Sequence, residues 1–184
     1  MTRIRVFWSV LLLAATVVLM SAPDAVAASR QELNRDGIRA LQSLYGRNPA
    51  ARRLGEKARA VLVFPNIVKA GFLFGGQIGE GVLLKGGKPA AYYNSVAASY
   101  GLQAGVQTFG YAIFFMNDGA LEYLDSSAGF ELGVGPSIVV VDAGVAKSIT
   151  STTITQDVYA LIFSQKGLMA GMGLQGSKIT RISK

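Results

Sequence analysis

Residues 64–82 read FPNIVKAGFLFGGQIGEGV and combine strand-forming residues with an unusual number of glycines. Five glycines lie among its strand-forming residues: Gly71, Gly75, Gly76, Gly79 and Gly81. Glycine weakens a strand interior unless a bend, a bulge or a close approach of the backbone requires it. The stretch therefore predicts a sharply curved β-sheet, and we expect valine at Gly71 or Gly76 to disrupt the bend.

The same glycines raise the alternative of a phosphate-binding loop. Such a loop leads into a helix that begins with Lys-Ser or Lys-Thr. Here the glycines lead into Val82-Leu83-Leu84 and then into the turn-like Lys85-Gly86-Gly87-Lys88, which predicts a β-hairpin. Because the helix and the Lys-Ser/Thr pair are both missing, curvature is favoured over phosphate binding.

The first residues predict an export signal. Two arginines precede an uncharged run from Val6 to Pro23, and Ala25-Val26-Ala27 supplies the small residues that a signal peptidase accepts. We expect residues 1–27 to be removed and residues 28–184 to form one domain in the periplasm or cell envelope. An uncleaved membrane anchor is the alternative, since the apolar run is near the lower limit for spanning a bilayer.

The composition removes most catalytic designs. The sequence has no histidine and no cysteine, so it cannot supply Ser-His-Asp triads, thiol nucleophiles or zinc-thiolate sites. Without a cysteine, the mature chain is also expected to be soluble or only peripherally bound to a membrane. Glu122, Asp125 and Glu131 remain as a conceivable glycosidase pair, but acidic residues that flank strands are usually solvated. We therefore expect a binding protein with no catalytic site, cofactor or metal.

Charge is distributed unevenly along the mature chain. Residues 30–59 contain eight basic and three acidic residues, a net charge of +5. Residues 89–146 contain neither lysine nor arginine but hold five acidic residues. This asymmetry indicates one basic surface and a negatively charged partner.

Two helices are predicted at the start of the mature domain. The apolar residues between Leu33 and Tyr45 recur at helical spacing, with Gly46 as the expected C-terminal cap. Asn48-Pro49 then supplies a capping side chain and a proline at the first helical position, which predicts a second helix to about Ala60. The cluster of Arg52, Arg53, Lys57 and Arg59 lies on or just beside that helix, with only Glu56 among it.

From Pro65 onward the sequence pattern has period two. Residues 100–107 alternate apolar with small or amide-bearing side chains. Asn117-Asp118-Gly119 predicts a hairpin turn. Further strands are predicted at residues 120–124, 129–134, 137–141, 145–154, 158–164, 168–174 and 178–182. The expected class is α+β: a strongly curved antiparallel sheet or partial barrel with two N-terminal helices packed against it.

Several short motifs occur in order between Ala58 and Ile182. They are Phe64-Pro65, Lys69–Phe72, Gly75-Gly76, Gly79–Val82, Tyr100–Gln107, Phe115–Asn117, Leu132-Gly133, Gly135-Pro136 and Ser164–Gly171. In this order they resemble the SYLF family, also called the Ysc84 family. The resemblance implies a membrane-lipid-binding module, with anionic lipids and phosphoinositides as ligands of some eukaryotic members and actin filaments as partners of some fungal ones.

The predicted partner is an anionic phospholipid membrane. In a bacterial envelope, which the predicted signal indicates, phosphatidylglycerol, cardiolipin or lipid A would replace phosphoinositides. A basic cluster gains about 1 kcal/mol per Lys or Arg near an anionic leaflet. Among the family motifs, Lys69 is the charged residue that carries over. The predicted lipid-binding residues are Arg52, Arg53, Lys57, Arg59, Lys69, Lys85 and Lys88.

Three other binding functions stay open from the sequence. Nucleic acid suits the sequence pI of about 9.8, but an exported protein meets little of it, so no nucleic-acid partner is expected. A carrier could enclose an acyl chain in the concave sheet. An envelope scaffold could bind a protein partner whose identity the sequence does not give.

Overall fold

The computed structural model describes residues 28–126, 130–131, 138–140, 154–167 and 177–184. The elements in chain order are helix α1 (Arg30–Arg47), helix α2 (Pro49–Lys57), strand β1 (Ala60–Lys85), strand β2 (Lys88–Phe115), helix α3 (Asp118–Ser126), and strands β3 (Phe130–Glu131), β4 (Ile138–Val140), β5 (Val158–Gly167) and β6 (Lys178–Ile182). The predicted α+β class, with helices packed on a curved sheet, is confirmed.

Local capping residues set the bounds of the first two helices. Ser29 and Glu32 form a capping box at the start of α1, each side chain accepting from the backbone N–H of the other. Asn48 ends α1 by donating its N–H to the Leu44 carbonyl, and its side chain accepts from two N–H groups of α2. The Asn48-Pro49 prediction is confirmed. Gly46 is not the cap, because α1 continues to Arg47.

Strands β1 and β2 form one long hairpin. Their register runs from Ala60 opposite Phe115 to Lys85 opposite Lys88. The turn consists of Gly86 and Gly87, with φ of 56° and 76°, a conformation that glycine adopts without steric cost. The hairpin predicted at this position is confirmed.

The hairpin folds back on itself, and two glycines permit the close approach. A Cβ on Gly81 would lie 2.7 Å from the Phe64 ring, and a Cβ on Gly79 would lie 2.8 Å from the Asn66 carbonyl oxygen. Gly76, by contrast, is exposed, and among the described residues a Cβ there would meet only the Ala97 carbonyl oxygen, at 3.4 Å. Valine is therefore expected to disrupt the folded hairpin at Gly79 or Gly81, and not at Gly76.

Strand β2 is the centre of the sheet. It pairs with β1 along one edge, while its other edge pairs with β5 over Gln107–Phe115 and with β6 over Tyr92–Val96. The described strands lie in the order β3-β6-β2-β5-β4, with β1 beside β2. Pairing is antiparallel except between β4 and β5, which run parallel.

Alternating side chains place two cores on the two faces of the sheet. The inner core lies between the halves of the folded hairpin and includes Leu62, Phe64 and Tyr111, closed by Leu121 of α3. The outer core lies between the sheet and the two N-terminal helices. Its members are Leu33, Leu41, Leu44, Ala50, Ala51, Leu54, Val61, Val63, Val82, Leu84, Ala112, Phe114, Tyr159 and Leu161.

The segment after β2 differs from the sequence prediction. Residues 120–124 were predicted as a strand after a hairpin turn, but they belong to helix α3. The Asn117 side chain accepts from the Ala120 N–H at 2.9 Å, so Asn117-Asp118-Gly119 caps a helix. Ala120, Leu121 and Leu124 face the core at helical spacing, and this tertiary contact decides between the two structures.

The remaining predictions divide between confirmed strands and residues outside the described ranges. Strands predicted at 158–164 and 178–182 are confirmed as β5 and β6. Strands predicted at 129–134 and 137–141 are described only as β3 and β4. The export signal at 1–27 and the strand at 168–174 lie outside the described residues, as does all but Ile154 of the strand at 145–154.

Candidate functional site

Helix α2 presents basic side chains away from the core. Ala50, Ala51 and Leu54 form its buried face. Arg52 and Lys57 are exposed and Arg53 is half-buried. We call these three residues, Arg52, Arg53 and Lys57, the α2 cluster. Since the apolar face anchors the helix, the α2 cluster is held on a fixed surface.

The charge of the α2 cluster is only partly balanced. Glu56 is the single acidic residue in α2, and it stands four positions after Arg52, on the same side of the helix. The Arg53 Nε atom is buried and has no hydrogen-bond partner among the described residues. Burial and the Glu56 carboxylate raise the pKa of Tyr45, on α1, to about 12. Helix α2 itself therefore carries a net positive charge, with the Glu56 carboxylate near Tyr45.

Arg59 stands apart from the α2 cluster. It follows the helix, and its backbone N–H donates to the Phe115 carbonyl at 2.8 Å. Its Nε atom lies 3.5 Å from an Asp118 carboxylate oxygen, and both side chains are largely exposed. Because a carboxylate partly neutralises it, Arg59 is a weaker contributor to a basic surface than the sequence indicated.

Lys69 lies in the interior and does not contribute to the surface. Only 6% of it is exposed, and its partner across the strand pair is Gln107, which is also buried. Both residues point toward the inner core, because they continue the alternation of Ile67 and Phe109. Lys69 is therefore not part of the exposed basic surface, and its predicted lipid contact stays a prediction.

Lys85 and Lys88 form a separate basic pair. They flank the Gly86-Gly87 turn, are directly opposite in the register, and are exposed. Side chains of opposed residues lie on the same face of an antiparallel pair, so the two ammonium groups point the same way. This tip pair adds positive charge at the turn of the hairpin.

A groove between α1 and β5 was missed by sequence reasoning. It consists of two adjoining cavities of about 450 and 240 Å³, both bordered by Phe163 and Ser164. Arg39 lines the larger cavity and Arg47 the smaller. Ser164 has φ of 54°, a strained conformation for a residue other than glycine. Both arginines were counted as charges, but no local pattern indicates that β5 lies beside them.

The inner face of the hairpin is filled where it is described. The rings of Phe64 and Tyr111 stack with centroids 5.6 Å apart, and Phe64 packs against Gly81. Ile67 occupies the space beside Gly79. Burial raises the pKa of Tyr111 well above its usual value. Side chains thus take the space that an acyl chain would need in this part of the fold.

The carboxylates considered for catalysis have other surroundings. Asp125 accepts a hydrogen bond of 2.7 Å from the Tyr93 hydroxyl, and it lies 3.8 Å from the Arg181 guanidinium. Burial, followed by the bond to Asp125, raises the pKa of Tyr93. Glu122 is exposed on the same helix. Asp125 therefore links α3 to β2 and β6.

The described residues hold no candidate metal site and no candidate membrane-spanning helix. Within those ranges, no group of three or more acidic, histidine or cysteine side chains is placed to hold a metal ion. Among the helices of the described ranges, none is both long and apolar enough to cross a membrane.

Comparison with known proteins finds one family match. Residues 96–184 match the family model Ysc84, described as Las17-binding protein actin regulator, so the resemblance to this family is confirmed over these residues. No curated protein matches the chain. The match suggests a lipid- or actin-binding regulatory module. The matched residues begin in β2, so the match includes neither α2 nor β1.

Proposed function

We propose that this protein is a peripheral membrane-binding module that contacts anionic phospholipid headgroups through the α2 cluster. The observation that carries the proposal is the arrangement of Arg52, Arg53 and Lys57 on one helix whose apolar face is fixed in the outer core. Such a helix can approach a bilayer without unfolding any part of the domain.

The chemistry of these side chains suits phosphate. Arginine presents a planar fork of N–H donors that pairs with two phosphate oxygens at once. Each cation near an anionic leaflet contributes about 1 kcal/mol, so three contribute on the order of 3 kcal/mol. The tip pair, Lys85 and Lys88, serves as a second electrostatic contact. Exposed charges are screened beyond roughly 8 Å at physiological ionic strength, so binding falls with salt.

Export to the bacterial cell envelope is part of the proposal. The predicted cleavage follows Ala27, and the capping box that begins α1 starts at Ser29, so removal of the signal leaves the helix intact. Sequencing the N-terminus of the chain recovered from the periplasm tests this step. We expect Ala28 as the first residue, and recovery of intact residues 1–27 would contradict export with cleavage.

A protein partner is the second candidate. The description of the matched family as a Las17-binding actin regulator favours it, since actin regulation operates through protein contacts. A protein partner on the α2 cluster would also respond to salt, because charge pairs steer association. Binding to pure lipid vesicles separates the two candidates, since a module that binds only protein does not float with lipid.

The test replaces Arg52, Arg53 and Lys57 together by glutamine and measures flotation with vesicles that contain phosphatidylglycerol. We expect affinity to fall about 100-fold, which corresponds to about 3 kcal/mol at 1 kcal/mol per charge. The control replaces Arg30, Arg35 and Arg39 by glutamine and removes the same charge from α1. Equal losses of vesicle affinity in the two variants would indicate non-specific electrostatic attraction and would contradict a contact through the α2 cluster.

A further inference from the structure

The described residues expose four large apolar side chains, and all of them lie in one part of the molecule. They are Val68, Ile78, Val96 and Val106, with exposed fractions of 38%, 60%, 45% and 59%. The hairpin folds back at its bend, near the register shift between Phe72 and Phe74, and each of the four residues lies within a few positions of that bend. We call these four residues the bend patch. Scattered exposed apolar residues are ordinary, but this concentration at one end needs a cause.

The bend patch occupies the outer face of the sheet. Val68 pairs with Thr108, which lies on the same face of β2 as the covered Ala112 and Phe114. Ile78 lies on the same face of β1 as the covered Val82. At the other end of the hairpin the same face is buried beneath α1 and α2. The bend patch is therefore the part of an apolar face that the helices do not reach.

Lysines border the bend patch at matched positions. One row across three strands contains Val68, Thr108 and Lys166. A second row contains Ile78, Val96, Lys178 and, at its far end in β3, Glu131. Opposed residues in antiparallel strands point to the same face, so each row places apolar side chains beside an exposed ammonium group.

The two rows meet near the contact between the halves of the hairpin. A Cβ on Gly79 would lie 2.5 Å from the Ile67 Cδ1 atom, so the Ile67 side chain packs directly against this glycine. Val68 follows Ile67, and Ile78 precedes Gly79. Consecutive Cα atoms are about 3.8 Å apart, so the Cα atoms of Val68 and Ile78 lie within roughly 12 Å of each other, on either side of this contact.

We propose that the bend patch inserts into the boundary between the headgroups and acyl chains of a lipid bilayer, with Lys166 and Lys178 at the level of the phosphates. Lysine buries its apolar stem while its ammonium group stays with polar groups, which suits this position. This inference rests on the proposed membrane function and adds a second contact to it, separate from the α2 cluster.

The size and charge of the bend patch favour lipid over a second copy of the chain. A stable protein interface buries about 1,200 Å² or more in total, far above what four partly exposed side chains supply. A symmetric contact would also bring like-charged lysines toward each other, which is unfavourable. An anionic leaflet supplies both an apolar phase and the opposite charge.

A tryptophan reporter tests insertion directly. The chain from Ala28 onward lacks Trp8, so with Val106→Trp it carries its only tryptophan in the bend patch. With phosphatidylglycerol vesicles we expect a blue shift of emission and quenching by brominated acyl chains. The control places tryptophan at Glu122, which is exposed on α3, and we expect no quenching there. Absence of quenching at position 106 while the protein is bound would overturn the proposal.

Paired substitutions test the energetics in both directions. Val68→Thr together with Ile78→Thr keeps the β-branched shape and should lower vesicle partitioning at high salt about tenfold, since buried apolar area supplies that part of binding. Thr108→Val, directly opposite Val68, should raise vesicle partitioning at high salt. Partitioning that neither variant changes would overturn the proposal, and so would a change in oligomeric state by light scattering.

These results are distinct from those that test the α2 cluster. If the glutamine variant of Arg52, Arg53 and Lys57 binds normally while the reporter at position 106 is still quenched, the α2 contact is wrong and the bend patch stands. If no variant of the chain binds vesicles of any composition, the membrane function itself is wrong.

Discussion

The two ends of the hairpin's outer face have similar sequences but different surroundings. Val61 and Val63 are 5% and 0% exposed, because α1 and α2 cover them. Val68 and Val106, on the same face, are 38% and 59% exposed. Both pairs obey the period-two alternation of a strand with one apolar face. Alternation therefore identifies the apolar face but not what covers it.

Length explains the difference between the two ends. Helix α1 has 18 residues and is about 27 Å long, whereas β1 has 26 residues and would span about 85 Å if straight. The hairpin shortens itself by folding back, yet part of its outer face still extends past the helices. The covered end supplies stability and holds the α2 cluster, and the uncovered end is the surface for which we propose a lipid contact.

The largest expected effect concerns the fold-back on which the comparison depends. Valine at Gly81 forces a branched side chain into the Phe64 ring, and we expect a loss of about 3 kcal/mol or more in unfolding free energy. The measurement is urea denaturation. Valine at Gly76 is the control and should change stability by about 0.5 kcal/mol or less, because that position is exposed. Equal losses at the two positions would contradict the close contact.

The next prediction compares covered and uncovered valines directly. Val63→Ala opens a cavity beneath the helices and should cost about 2 kcal/mol of unfolding free energy. Val68→Ala should cost well under 1 kcal/mol, because much of that side chain already faces solvent. Thermal or urea unfolding measures both. A larger loss at Val68 would mean that another part of the chain covers the bend patch in solution.

A smaller effect is expected at the junction of the two covering helices. Asn48→Ala removes the side-chain oxygen that accepts from the N–H groups of Ala50 and Ala51. Loss of such a cap costs about 1 kcal/mol. Hydrogen exchange should quicken in α2 but not near the bend of the hairpin. Uniform quickening through the whole domain would show that the ends do not behave separately.

The last effect is absent at neutral pH and is a pH dependence confined to the covered end. The pKa of Tyr45 is raised from about 10 to about 12, chiefly by burial and then by Glu56. Its contribution to stability is therefore complete below pH 10 and is lost as pH rises toward 12. Tyr45→Phe should lose less stability than wild type across that range. Tyr93 and Tyr111 are retained in both proteins, so the difference belongs to Tyr45.

The sequence predicted the features that depend on neighbouring residues. Asn48-Pro49 began a helix and Gly86-Gly87 closed a hairpin because local capping and turn chemistry decide both. Asn117-Asp118-Gly119 fits both a hairpin turn and a helix start. The choice fell to the helix because Leu121 and Leu124 pack into the inner core, a contact that local patterns do not contain.

The candidate site was only partly predictable for the same reason. Arg52, Arg53 and Lys57 were identified because helix spacing places them away from an apolar face. Arg59 pairs with Asp118, far away in sequence, and Lys69 lies between the folded halves of the hairpin, so both depend on tertiary structure. The bend patch was missed because exposure depends on where α1 ends.

The most direct measurement of the central claim is flotation of the purified chain with vesicles of phosphatidylcholine alone or with added phosphatidylglycerol, at low and at high salt. We predict strong binding to the anionic vesicles, a steep decrease with salt from loss of the α2 contact, and a residual salt-resistant fraction that Val68→Thr with Ile78→Thr removes. Equal binding to both vesicle types, or complete absence of binding, would contradict the account.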